Sequence, residues 1–100
     1  MSVEIAKTIL EQIGGNRFIK MTGAKNLLAH ESALSFKLPS RFAKNGINYV
    51  KITLDPSDTY IMYFGKIFKH TITDIATYTD VYFDGLQNMF TRETGLDTHL

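Results

Sequence analysis

Ile47-Asn-Tyr-Val-Lys-Ile-Thr-Leu54, Asp55-Pro-Ser-Asp58 and Thr59-Tyr-Ile-Met-Tyr-Phe-Gly-Lys-Ile67 follow one another without a gap, and they decide the fold. Val50, Ile52 and Leu54 alternate with Tyr49, Lys51 and Thr53. A period of two is the signature of a half-buried strand. Pro56 presets φ for the second position of a type I turn, and Asp55 suits the first. The stretch therefore predicts an antiparallel hairpin with Leu54 and Thr59 flanking a tight connection.

Working outward, Ile5, Ile9 and Ile13 recur at every fourth position with Ala6 and Leu10 beside them. That stripe predicts a helix over 3–13, with Ser2 as N-cap and Gly14-Gly15 as the stop. Phe18-Ile-Lys-Met-Thr22 reads as a short strand. Residues 23–32 read as a polar connection with a helical turn at 24–29. Leu34, Phe36 and Leu38 alternate with Ser35 and Lys37 in a second strand, which Pro39 ends. Residues 40–46 read as a basic loop closed by Asn45-Gly46. After Gly65 the pattern runs on through Thr71-Ile-Thr73 as a bend or a fifth strand. Thr77-x-x-Asp80 resembles a capping box, and residues 80–94 read as a helix ending at Gly95. Gly85 inside that helix implies close approach to the sheet.

The expected architecture is α+β: an N-terminal helix, a four- or five-stranded mostly antiparallel sheet and a C-terminal helix. Both helices have one apolar face and cover the same sheet face, which leaves the other face open. One hundred residues, 44% hydrophobic and 21% charged, make a single domain over 1–100. A chain of this size buries roughly 60–70% of its unfolded surface, enough for one core. The expected core holds Ile5, Ile9, Ile13, Leu34, Phe36, Val50, Ile52, Leu54, Leu86 and Phe90.

The chain has no cysteine. Disulfides and thiolate metal sites are excluded, which suits a reducing cytosol. The first residues carry Glu4 and Glu11 in place of a signal-peptide core. No run approaches the ~20 apolar residues of a membrane span. These features set a cytoplasmic expectation, with no membrane partner.

The net charge of +1 hides an asymmetry: residues 1–54 hold eight Lys/Arg and three Glu, whereas residues 55–100 hold three Lys/Arg and seven Asp/Glu. Between Arg17 and Lys51 only Glu31 opposes the bases. Such asymmetry marks a basic binding face or two mutually attracting ends of one fold. Tyr49, Tyr60, Tyr63, Phe64 and Phe68 lie on neighbouring strands with Lys51, Lys66 and Lys69 among them. Aromatic and basic side chains on one sheet face stack bases and hold phosphates, and they are also good strand formers. The candidate contacts for a nucleic acid or a protein partner are Lys37, Arg41, Lys44, Tyr49 and Lys51.

Nothing in the chain has the spacing of a catalytic motif. Thr22-Gly-Ala-Lys-Asn26 lacks the first glycine and the terminal Lys-Ser/Thr of a phosphate loop. His70 with Asp74, His30 with Glu31, and Asp97-x-His99 do not converge on three or four ligands. Asp80 and Asp84 read as a cap and a solvated face. The expectation is no enzyme and no metal or other cofactor.

Ile13-Gly-Gly-Asn-Arg-Phe-Ile-Lys-Met-Thr-Gly-Ala-Lys-Asn26, Leu34-Ser-Phe-Lys-Leu-Pro39, Lys44-Asn-Gly-Ile-Asn-Tyr-Val-Lys-Ile-Thr-Leu54, Asp58-Thr-Tyr60, and the ending with Phe90-Thr and Thr94-Gly-Leu96 occur in this order. Together they resemble a set of small proteins encoded by bacteriophages and prophages, with no assigned activity. The resemblance implies a bacterial host cell and brings no catalytic residues. The expected function is a non-enzymatic interaction module for a host or viral macromolecule, with nucleic-acid binding through residues 17–51 and the Tyr/Lys sheet face as the alternative. Two free sheet edges suggest a homodimer.

Overall fold

Gly14 sits at φ 131°, a conformation that side-chain-bearing residues rarely adopt, and it redirects the chain between two helices. In the computed structural model, which describes residues 3–39 and 43–96, α1 spans Glu4–Ile13 and α2 spans Gly15–Thr22. The second helix replaces the strand expected at Phe18–Thr22. Phe18 and Thr22 lie four apart, and both are buried along one face of the helix. The Thr22 hydroxyl donates to the Phe18 carbonyl at 2.8 Å. A Cβ on Gly14 would meet the Phe18 Cβ at 2.9 Å, so glycine is also what lets α2 fold back this tightly. Ser2, the expected N-cap, lies outside the described residues.

Five strands follow: β1 Lys25–Ala29, β2 Ala33–Lys37, β3 Tyr49–Leu54, β4 Tyr60–Phe68 and β5 Thr71–Val81. They form one antiparallel sheet in the order β1-β2-β3-β4-β5. β1 falls where a polar connection with a helical turn was expected. Its Lys-Asn-Leu-Leu-Ala sequence has no alternation to betray it, and pairing with β2 makes it a strand. The central hairpin forms as expected. Asp58 N donates to the Asp55 carbonyl at 2.9 Å, and Asp55 N to the Thr59 carbonyl at 2.8 Å. The Asp55 carboxylate accepts from Ser57 N at 3.1 Å and Ser57 Oγ at 2.7 Å. These bonds, the side-chain one foremost, hold its pKa below the ordinary value.

The pattern after Gly65 is both a continued strand and a fifth one. Residues 77–81 therefore do not cap a helix. Threonine and other β-branched residues at 71, 72, 73, 75, 77, 79 and 81 favour the sheet. Asp80 sits at φ 57° where the β4–β5 register shifts between Tyr60 and Met62. A second shift lies between Phe64 and Gly65. The chain turns through a 3-10 segment, Phe83–Gly85, into α3 at Leu86–Thr94, and Gly95 ends it. Gly85 precedes α3 instead of lying inside it. The nearest atom to a Cβ placed there is Val81 Cγ1 at 3.9 Å, so close packing does not require a glycine.

All three helices cover one sheet face. The core between the layers includes Ile9, Ile13, Leu34, Phe36, Val50, Ile52, Leu86 and Phe90 from the expected set, while Ile5 and Leu54 are partly buried at its border. At its centre Phe18, Phe36 and Phe90 meet from α2, β2 and α3. Phe18 lies 5.2 Å from Phe36 and 5.1 Å from Phe90 between ring centroids, both edge-on, and Phe36 and Phe90 are 6.2 Å apart. Tyr60 reaches the border of the core, where its hydroxyl donates to Gln12 Oε1 at 2.6 Å; burial raises its pKa. Gln87 Nε2 donates to the Ile13 carbonyl at 3.0 Å and ties α3 to the end of α1. Among the described residues no buried side-chain nitrogen or oxygen lacks a partner, and no helix is long and apolar enough to cross a membrane.

Replacing Phe90, which is fully buried, by Ala should cost roughly 3–5 kcal/mol. Phe18→Ala should cost a similar amount, because both rings share one cluster. Denaturant unfolding measures it; a loss under ~1 kcal/mol for either would remove the cluster from the centre of the fold.

Candidate functional site: the open face of the sheet

Strand parity sends alternate side chains to opposite faces. Val50, Ile52, Met62 and Phe64 point to the helices. Tyr49, Lys51 and Tyr63 point away from them, as expected for Tyr49 and Lys51. The register assembles two rows across the open face. One runs Lys25, Lys37, Tyr49, Gly65, Asp74, and the other Leu28, Ser35, Lys51, Tyr63, Thr77.

Lys37 and Tyr49 are thus direct cross-strand partners, and Lys51 lies one position along the face. Three of the five candidate contacts converge on one strip. Lys44 does not join them. It lies in a 3-10 segment, Lys44–Gly46, and its Nζ donates to the Arg92 carbonyl at 3.2 Å on the C-terminal helix. Its aliphatic stem packs where a Cβ on Gly95 would lie, 3.2 Å from its nearest carbons. The loop between β2 and β3 turns this lysine towards the helix layer, so the expected convergence of four basic residues is corrected to Lys37 and Lys51. Arg41 lies outside the described residues.

The aromatic set divides in the same way. Tyr60 and Phe64 belong to the core. Phe68 is exposed near the tip of the β4–β5 hairpin. Tyr49 and Tyr63 remain on the open face with ring centroids 6.1 Å apart and planes at 67°. Gly65 makes this arrangement fit. A Cβ there would lie 2.9 Å from Tyr63 Cε2 and from the Tyr63 hydroxyl oxygen, so the ring rests on bare backbone. The Tyr63 hydroxyl then reaches β5 and donates to Asp74 Oδ1. That bond to a carboxylate favours the protonated phenol and pushes the Tyr63 pKa up to about 12.

Two residues outside the five candidate contacts complete the strip. Lys25 faces Lys37 directly across β1 and β2. Both line a shallow cleft of about 140 Å³ with Leu38, Asn48 and Ile67. Asn48 forms its wall by pairing like a strand residue: its Nδ2 donates to the Ile67 carbonyl at 2.9 Å, and Ile67 N donates to its Oδ1 at 2.7 Å. Like charges directly opposite destabilise a sheet. Among the described residues the ion pair found within 4.0 Å is Arg92 with Glu93 at 3.6 Å, so neither lysine is neutralised there. Lys25 was hidden because β1 has no strand pattern of its own. Tyr63 was visible as an aromatic on β4, but its place beside Tyr49 required the register.

His30 Nε2 and Ser35 Oγ, 2.8 Å apart, close the β1–β2 turn against the same face. No group of three or more His, Asp or Glu side chains among the described residues is placed to hold a metal ion. Comparison with protein-family models, with curated proteins and with solved structures finds no match to this chain.

The Tyr63–Asp74 bond has a pH signature. The phenol is raised above its unfolded value of 10.0. Its contribution to stability is therefore complete below pH 10 and is lost as pH rises towards about 12. Tyr63→Phe should remove that part of the alkaline loss and delete one late-titrating tyrosinate from the ultraviolet absorbance titration. Loss of a tyrosinate that titrates near the ordinary value of 10.0, and not a late one, would place the Tyr63 hydroxyl in water.

Proposed function

We propose that the chain is a non-enzymatic binding module whose contact surface is the open face of its sheet, and that its ligand is a single-stranded nucleic acid. The observation that carries this reading is the Lys25–Lys37 pair beside Tyr49, Lys51 and Tyr63. Two unneutralised ammonium groups held side by side favour an anion between or above them. Half-exposed aromatic rings next to them offer faces for bases. Together they supply the two components of strand binding without sequence preference, backbone charge contacts and stacking. The cleft at Lys25 and Lys37 takes a phosphate, and the tyrosine pair takes the adjoining base.

The second reading keeps the same surface and changes the partner to an acidic protein of the host or the virus. The resemblance to phage-encoded proteins favours it, since small proteins in that setting often act by binding. Its contacts are Lys25, Lys37 and Lys51, with Tyr49 as the apolar anchor.

Fluorescence anisotropy with a labelled oligonucleotide separates the two. Three phosphate contacts on a single strand should make log affinity fall with log salt at a slope of about −2. Lys25→Ala with Lys37→Ala should flatten the slope by roughly 1.4 and weaken all sequences alike. Tyr49→Ala should cost ~1–3 kcal/mol if a base stacks on the ring. Lys44→Ala, on the far side, should change neither. No shift with DNA or RNA at low salt would reject the nucleic acid and leave the acidic protein, to be recovered from nuclease-treated bacterial lysate.

A further inference from the structure

The two edges of the sheet are unlike, and their differences match. Between residues 12 and 30, which lead into and include β1, the chain carries Arg17, Lys20 and Lys25 and no acid. Between residues 70 and 91, which include β5 and its exit, it carries Asp74, Asp80 and Asp84 and no Lys or Arg. Each edge strand pairs on one side only. Beside β1, on the helix side, an apolar groove of about 270 Å³ lies against α1, lined by Val3, Ala6, Leu10, Leu27, Ala29 and Leu34. A cavity of about 150 Å³ is enough to hold benzene. At the end of β5 the side chains of Tyr82 and Phe83 stand out into solvent, 64% and 61% exposed. One edge thus offers an apolar recess with Lys7 in its lining and Lys25 on its strand, and the other offers aromatic side chains flanked in sequence by Asp80 and Asp84.

We propose that copies of this chain associate head to tail, with β5 of one copy joining β1 of the next and Tyr82 and Phe83 of the first covering the groove between α1 and β1 of the second. The geometry of the sheet sets the details. Five antiparallel strands make β1 and β5 run in the same direction, so a copy displaced along the sheet meets its neighbour in parallel. Its helices then stay on the same side, which is where the groove lies. The register places Lys25 and Asp74 in one row across the sheet. Ala29 shares the row of Tyr78, and Val81 lies further along in the row of Tyr60 and Leu54, so seating Tyr82 and Phe83 on the groove shifts the next copy towards the end of β5 and brings its Lys25 past Asp74 towards Asp80. The two symmetric alternatives lack this match. Pairing β5 with β5 brings only acids to the seam, and pairing β1 with β1 leaves the aromatic side chains uncovered. A head-to-tail contact uses different patches on its two sides, so it grows into open chains or closes into a ring of three or more.

The test is sedimentation of the whole chain and of two exposed-site variants, Ala29→Asp in the groove and Phe83→Asp at the β5 exit. The wild type should show an average mass above the 11.3 kDa of one chain, rising with concentration and falling at high salt, where charge attraction is screened. Each variant alone should stay monomeric, because each lacks one of the two patches. An equimolar mixture should form a complex of two chains and stop, since the intact groove of one variant accepts Phe83 of the other and both outer ends are blocked. Circular dichroism verifies that the variants are folded; if Ala29→Asp is not, Lys25→Glu replaces it. A wild type that stays monomeric at millimolar concentration overturns the proposal. So does a closed two-fold dimer, or a mixture that forms no complex.

Discussion

The contact among Phe18, Phe36 and Phe90 is the constraint from which the rest of the structure follows. It joins an N-terminal helix, a strand from the middle of the chain and the C-terminal helix at one point. Each ring is fully buried. Burying a phenylalanine side chain contributes on the order of 1.5–3 kcal/mol, and edge-on aromatic pairs add roughly 0.5–1.5 kcal/mol each. In a domain whose net stability is commonly only about 5–15 kcal/mol, such a cluster is a large share. It also has a geometric demand. Phe18 reaches Phe36 and Phe90 because Gly14 turns the chain sharply between α1 and α2. With Phe90 in the same cluster, all three helices are committed to one face of the sheet.

That commitment creates the open face. A meander of five antiparallel strands can be covered on one side and solvated on the other. The solvated side here is not a plain polar surface. Tyr63 lies flat along its own strand over Gly65 and bonds to Asp74 across the hairpin. Tyr49 packs against it edge-on. The rings are held in place by these neighbours. Lys25, Lys37 and Lys51 surround them on rows set by the register. The same one-sided arrangement leaves the edges exposed. β5 carries two register shifts, with Asp80 left-handed at one of them.

The central hairpin, the second strand, the first helix and the stop at Gly95 were legible because each rests on a local rule: alternation, a helical stripe, a turn at Asp55-Pro56, a left-handed C-cap. Three segments were not. Phe18–Thr22 is too short for its period to separate helix from strand, and Lys25–Ala29 has no period at all. Residues 77–81 carry the spacing of a helix cap, but β-branched side chains and pairing with β4 outweighed it. Of the candidate contacts, Lys37, Tyr49 and Lys51 were readable from strand parity alone. Lys44 sits in a loop, where no parity applies, and Lys25 belongs to a strand that only its partner reveals.

By itself the sequence determined the class of the fold, the face to which each central strand sends its side chains, the absence of cysteine chemistry and the opposite charge of the two halves. These depend on residue type and on neighbours within a few positions. The tertiary structure alone decided which strands lie side by side, and with that, which charges meet. The Lys25–Lys37 pair joins residues twelve apart in sequence, and Tyr63 finds Asp74 across the β4–β5 hairpin. Register across a sheet is chosen by the whole core closing at once, because a slip of one residue would turn every buried side chain to the wrong face. No local pattern carries that information.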